Sequence, residues 1–371
     1  MDIANKLKIA RKAIGYTQEK VEQQTGIGKS SLSAFEKDER EPKFSQLAKL
    51  AEVYKKSVEF FLSDEQPIEP VMLWREKPEA DEEKKRIQAE FEQLCEQYHR
   101  LELATGQKQQ VKLPEPDVVN PKGFSFGDAE AFARKVRNQF CLGDIPSASL
   151  KRVLEEKYYV KIFHLEFSGS AISSYSPIYG YAILLNSGAL TKQWRRNYDL
   201  AHELFHLCTM NILESLRSTK DLPAEDEEKF ANAFASVLLM PEEVLKERIK
   251  LFQNDKSGVS LDQVDDIARE FGVSIDALTY RIANIYRIPR GENEMFLRAA
   301  KQLAEAHKPR DSEKPDKFPE RYCSLAIRAF REGKISQIMF ARYMDLSYKQ
   351  AQEYLVEDED FTDEKISIPV A

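Results

Sequence analysis

Five histidines occur in the 371 residues, and two of them stand in the pentad His202-Glu203-Leu204-Phe205-His206. At that histidine frequency an HExxH pentad arises by chance in roughly 1% of such chains. On a helix, positions i and i+4 share a face one turn apart, so both imidazoles can converge on one metal ion. Zinc takes such nitrogens at ~2.0–2.1 Å and, in catalytic sites, keeps one coordination position open. Glu203 follows the first ligand and points towards that open position, where a carboxylate can take a proton from water that a metal activates. The chemistry implied is metal-assisted hydrolysis. Tyr198, Leu200, Ala201, Leu204, Phe205 and Leu207 make the helix apolar enough to be buried. Two histidines and a glutamate buried there would be poorly satisfied without a metal.

A zinc site needs a third protein ligand. His99, His164 and His307 are isolated, and Cys208 faces elsewhere on the helix. The next strong helical stretch, EDEEKFANAFASVLLMP, supplies Glu225, Asp226, Glu227 and Glu228 as candidates. Helical phase favours Glu228, on the side of Ala231, Ala235, Leu238 and Leu239. Asn232 falls one turn on, placed to orient a ligand histidine. Glu225 to Glu227 read as a solvated first turn favoured by the helix dipole.

RRNYDLAHELFHL followed by EKFANAFASVLLMP resembles the ImmA/IrrE family of zinc metallopeptidases, over roughly Tyr159 to Pro241. The resemblance implies that His202, His206 and Glu228 bind Zn²⁺ and that Glu203 is the general base. AILLNSGAL, ahead of the helix, is similar to the family's edge strand, on which a peptide substrate is laid by β-augmentation. Tyr175 or Tyr181 is the candidate for a transition-state hydrogen bond. Phe205 stands where the family often has Gly, a change in helix packing and not in the ligands.

Length predicts two or three domains. Hydrophobic residues at 42% fill real cores, while 32% charged residues and no apolar run of ~18 exclude a membrane span. The first residues lack the apolar stretch of a signal peptide. Cys95, Cys141, Cys208 and Cys323 form no CxxC pair, which points to reduced thiols in the cytoplasm. The net charge of −7 hides an asymmetry: residues 1–62 carry 12 basic and 9 acidic side chains, leaving −10 for the rest. A basic head on an acidic body confines any DNA contact to one end.

That head reads as short helices, with Gly15 and Gly26 as stops, Thr17 as an N-cap and a third helix opening at Gly28. Residues 4–62 resemble the Cro/C1 (Xre-type) helix-turn-helix family. The resemblance places Lys29, Ser30 and Ser33 against base edges in the major groove and Gln18 against phosphate. The small positive charge, with Asp38 and Glu39 beside the groove, implies a homodimer on two half-sites.

The expected organisation is a helix-turn-helix domain at 1–62, a linker and charged connecting helix at 63–120, a peptidase domain at 121–290 and a C-terminal helical module at 291–371. The fold class is α+β and mostly helical, with a zincin-like domain built on a small sheet. Strands are predicted at 158–167 and 180–185, and helices at about 192–210 and 225–240. The connecting helix, 80–104, carries Ile87, Phe91, Leu94, Tyr98 and Leu101 along one side, for one packed face or for a coiled-coil dimer seam. The C-terminal module is similar to a second helix-turn-helix and is assigned to packing or partner binding.

Together these features describe a DNA-binding regulator fused to a zinc-dependent, site-specific endopeptidase. Its expected substrate is a Cro/C1-type repressor, or the chain itself, with cleavage derepressing a stress, phage or mobile-element programme. The alternative is a non-proteolytic repressor or antitoxin that uses its zinc domain as sensor or scaffold. The expected partners are operator DNA and a protein substrate, with no membrane.

Overall fold

The computed structural model describes residues 3–63, 70–76, 78–117, 123–188, 191–219, 223–252, 260–289, 291, 294, 298 and 314–356. The architecture is α+β and mostly helical, as the sequence leads one to expect.

The head consists of α1 (Ile3–Ala13), α2 (Gln18–Thr25), α3 (Lys29–Glu36), α4 (Phe44–Val53) and α5 (Val58–Leu62). Its start and stop signals act as read. The Thr17 hydroxyl accepts from the Lys20 amide to cap α2, and Gly26 ends that helix in the left-handed region. Leu7, Ala10, Val21, Leu32, Phe35, Leu47 and Leu50 meet in one small core. Arg11 on α1 holds Glu36 at the end of α3.

A short strand, β1 (Val71–Arg75), follows the head and leads into α6 (Asp81–Ala104). This stretch was expected to be linker. Its proline-flanked, charged surroundings hide a five-residue run, Val-Met-Leu-Trp-Arg, that pairs antiparallel with β3 (Ala171–Ser176). Between them in sequence lie α7 (Phe126–Phe140), α8 (Pro146–Lys157) and β2 (Lys161–Leu165); β4 (Gly180–Asn186) completes the sheet. The strand order is β1-β3-β4-β2, with β3 and β4 antiparallel and β4 and β2 parallel.

Two corrections follow. The strand beginning AILLN was expected at the edge, but β4 is interior and both its sides are paired. Strand β3, which alternates Ser with larger residues, was not anticipated at all.

Each face of the sheet is covered, which is why β4 reads as an unbroken apolar run. Ile183 and Leu185 face a core built with α7, α8, α9 (Gln193–Thr219), α10 (Ala224–Leu239), α11 (Glu242–Phe252), α12 (Leu261–Phe271) and α13 (Ile275–Tyr286). Ala182 and Leu184 face a second core built with α6 and the C-terminal helices α14 (Glu320–Arg331), α15 (Gln337–Tyr343) and α16 (Tyr348–Val356). The seam predicted on α6 is thus used within the chain: Ile87, Phe91, Leu94, Tyr98 and Leu101 are all buried there. No such seam is left for a coiled-coil dimer.

A buried ionic cluster fastens the C-terminal module to this layer. Glu102 on α6 accepts from Lys161 on β2 at 3.1 Å and from Arg321 on α14 at 2.6 Å. The acidic run after Val356 lies outside the described residues. Among the described residues no helix is long and apolar enough to cross a membrane.

Candidate metal centre

The site is made by one pair of helices. α9 is longer than predicted, running to Thr219, and α10 lies beside it. Ala201, Ala231 and Ala235 are fully buried, and such small side chains let the two backbones approach closely. That approach brings His202, His206 and Glu228 together, with donor atoms all within 4.8 Å of one another.

The separations test whether a metal fits. His202 Nε2 lies 3.2 Å from His206 Nε2. Glu228 reaches the first at 3.1 Å through Oε2 and the second at 3.3 Å through Oε1. Ligand atoms ~2.0–2.1 Å from a tetrahedral ion are ~3.3 Å apart. The two imidazole nitrogens are therefore spaced as one edge of such a tetrahedron, and Glu228 spans the pair with one oxygen on each, close enough for either oxygen to serve as the third donor.

The opposite ring nitrogens are also held. His202 Nδ1 is 3.1 Å from Asn232 Oδ1, and His206 Nδ1 is 3.0 Å from Glu227 Oε1. With Nδ1 donating, each Nε2 presents its lone pair inward, the orientation a metal requires. Glu227 is the residue the sequence reading misplaced. It was assigned to a solvated turn, yet it is buried. The overlooked signal was Ala231 at i+4, which puts Glu227 on the inward side of α10. Glu227→Gln should weaken metal affinity about 10–100-fold without unfolding the chain, measured by competition with a chromogenic chelator.

Electrostatics divide the four ionisable groups. Burial drives His202 down to about 3, with only partial compensation from Glu228. Burial pushes the same way on His206, but hydrogen bonds to Glu227 and Glu228 prevail and hold it at about 9. Burial would raise Glu228, yet the two histidines keep its carboxyl well below the usual carboxylate range. Glu203 is raised by burial to about 7, against a downward pull from His206. Neither Glu203 oxygen, though buried, makes a well-formed hydrogen bond; the Ser173 hydroxyl on β3, likewise unpaired, lies near enough to pull the carboxyl down without being bonded to it. An orphaned buried carboxyl costs about 1–3 kcal/mol or more. A polar ligand beside it would relieve that cost.

Comparison with known proteins agrees with this geometry. Residues 155–283 match the IrrE N-terminal-like domain of the M78 peptidases, and residues 7–61 match a helix-turn-helix model.

Residues 155–283 are thus similar to the IrrE-like domain.

The HTH-type transcriptional regulator ImmR of Bacillus subtilis (strain 168) is 35% identical over 66 residues, 18% of this chain and 52% of that protein. The chain thus spans about half the length of this curated relative. A Mycobacterium tuberculosis transcriptional regulator aligns at 14% identity with a TM-score of 0.32, covering 51% of each chain, which is too slight a likeness to argue from. Ahead of the IrrE-like domain, the chain thus carries a DNA-binding type of head.

Within the IrrE-like domain, Asp199 stands one turn before His202 and is 1% exposed. It lies 3.1 Å from both Arg75 of β1 and Arg195, and the Ser170 hydroxyl donates to it at 2.8 Å. The Arg75 guanidinium also sits 5.4 Å from the Tyr198 ring centre. This pair escaped the sequence reading because its halves are 124 residues apart. Tyr175 and Tyr181 pack on each other at 5.0 Å, and no described hydrogen bond joins either to the trio.

In the head, Ser30 and Lys29 are exposed and Ser33 is half-buried on α3. Lys29 pairs with Glu19, and the Gln18 amide donates to Glu36 at 3.0 Å. Both side chains must therefore exchange a carboxylate to reach a phosphate or a base.

Proposed function

We propose that the chain is a cytoplasmic DNA-binding regulator whose IrrE-like domain is a zinc endopeptidase. The observation that carries the reading is the convergence of His202, His206 and Glu228, with donor atoms within 4.8 Å of one another, beside the buried Glu203. His202, His206 and Glu228 would hold Zn²⁺, with Asn232 and Glu227 fixing the two rings. When bound, the ion supplies Lewis-acid polarisation of a peptide carbonyl and acidifies water. Glu203, with a carboxyl near neutrality, serves as the base that takes a proton from water and returns it to the leaving amine. Its dry setting keeps that proton off bulk solvent. The substrate we assign is a Cro/C1-type repressor or the chain's own polypeptide, with cleavage derepressing a stress, phage or mobile-element response.

Incubating zinc-loaded protein and its Glu203→Gln form with a partner repressor tests the reading. Discrete fragments should appear with the parent protein alone. Operator binding with no fragments under any metal loading would instead identify a non-proteolytic repressor that uses the site as a sensor.

For the head, Lys29, Ser30 and Ser33 are assigned to base edges and Gln18 to phosphate, in a homodimer on two half-sites. Lys29→Ala should weaken operator binding by about 1–3 kcal/mol in a gel-shift titration at fixed salt. Equal affinity for the two proteins would remove Lys29 from the base-reading set.

A further inference from the structure

Glu203 faces β3, through Ser173. In the β1–β3 register, Ser173 stands opposite Leu73, and Ala171 opposite Arg75. β1 is the outermost strand of the sheet: the chain's own residues 71–75 are hydrogen-bonded along the side of β3 away from β4, and the Arg75–Asp199 contact brings that side to the helix that carries His202. An extended peptide adds to a sheet edge by this same backbone pairing, with alternate side chains read by pockets. Here one alternate side chain, Arg75, is read by Asp199, which also borders the site.

We propose that β3 is the substrate-binding edge, that residues 71–75 are its resident occupant, and that Asp199 selects substrates with a basic side chain at the place of Arg75. The proposal rests on the peptidase reading above and deepens it: the substrate class is an extended segment carrying Arg or Lys.

The occupant is well suited to hold and to leave. Leu73 packs partly buried against the core that contains α9, and Trp74 meets Phe167 edge-on at 6.0 Å on the opposite face. Val71 at the start of the strand is exposed. The strand is only five residues long and directly follows the segment joining it to the head. A strand this short, held by its pairing with β3 and by the side chains of Met72, Leu73, Trp74 and Arg75, can be exchanged for a competing segment without dismantling β3, β4 and β2. Release of β1 then opens the edge, and rebinding closes it.

Binding, not cleavage, tests this, so that a failure of catalysis stays distinguishable. A fluorescein-labelled peptide of residues 70–76 is titrated by anisotropy against the full chain, its Trp74→Ala variant and a Met72→Cys/Ser174→Cys protein that locks β1 to β3. Trp74 and Met72 lie away from the metal centre, so the variants act on the strand alone. The peptide should bind Trp74→Ala at least tenfold tighter than the parent and should not bind the oxidised locked protein until it is reduced. A peptide with Leu in place of its Arg, or an Asp199→Asn change in the Trp74→Ala background, should each cost at least tenfold. Equal binding to all three proteins, or indifference to the peptide's Arg, would overturn the proposal. If Trp74→Ala fails to fold, the locked protein decides alone: oxidation must abolish the weaker parent binding and reduction restore it.

Discussion

Replacing Glu203 with Gln should slow proteolysis by about 10²–10⁴-fold, the scale of a general base, while leaving metal content unchanged. The same substitution should make chelator-treated protein more stable at pH 8. The sign follows from the direction of the shift. Folding raises the Glu203 carboxyl from its ordinary 4.5 to about 7. The unfolded chain therefore releases the proton first as pH rises, and folded stability falls across that window. Above pH 7 the full cost is present, about 3 kcal/mol, and below pH 4.5 it vanishes. Glutamine does not titrate, so the variant escapes it. Urea unfolding of both proteins in EDTA at pH 4.5 and pH 8 checks this: the gap should be near zero at the first and favour the variant at the second. A gap that does not change with pH would mean that Glu203 is not held as a buried, unpartnered carboxyl.

The HExxH pentad was legible because its chemistry obliges a short, fixed spacing on one helix. Glu228 and Asn232 were nearly as legible, since helical phase relates them to the buried alanines of α10. Glu227 was misjudged because a carboxyl in a first turn satisfies two physical demands equally well, the helix dipole and a histidine partner. Only the approach of α9 tells them apart.

Strand β1 was hidden for a different reason. Five residues between prolines carry no usable periodicity, and what makes them a strand is their pairing with β3 some 100 residues later. The α6 stripe was visible, but its partners were not. Periodicity identifies an apolar face without saying whether the same chain or a second copy covers it. Here the sheet and the C-terminal helices cover it, which turns a presumed spacer into the pillar that carries the sheet.

Glu228→Ala should reduce zinc affinity by more than the 10–100-fold expected from an orienting residue such as Glu227, because a direct donor is lost. The proton balance makes this a sharper test than affinity alone. Metal ligands must be deprotonated. At pH 8 His202, near 3, is already neutral, and Glu228 is already ionised. His206, held at about 9 by Glu227 and Glu228, still carries its proton. Zinc loading of the parent at pH 8 should therefore release about one proton per site, and affinity should climb about tenfold per pH unit up to about pH 9. Calorimetry in two buffers of different ionisation enthalpy counts that proton. Glu228→Ala removes one of the two carboxylates that keep His206 charged, so fewer protons should leave even as binding weakens. Zinc binding with no proton release by the parent would mean that Glu227 and Glu228 do not hold His206 charged in the metal-free site. An unchanged affinity in Glu228→Ala would remove Glu228 from the set. Because acid also protects the His206–Glu228 pairing, the metal-free site should hold its shape below pH 9, ready-made for the ion once the His206 proton leaves.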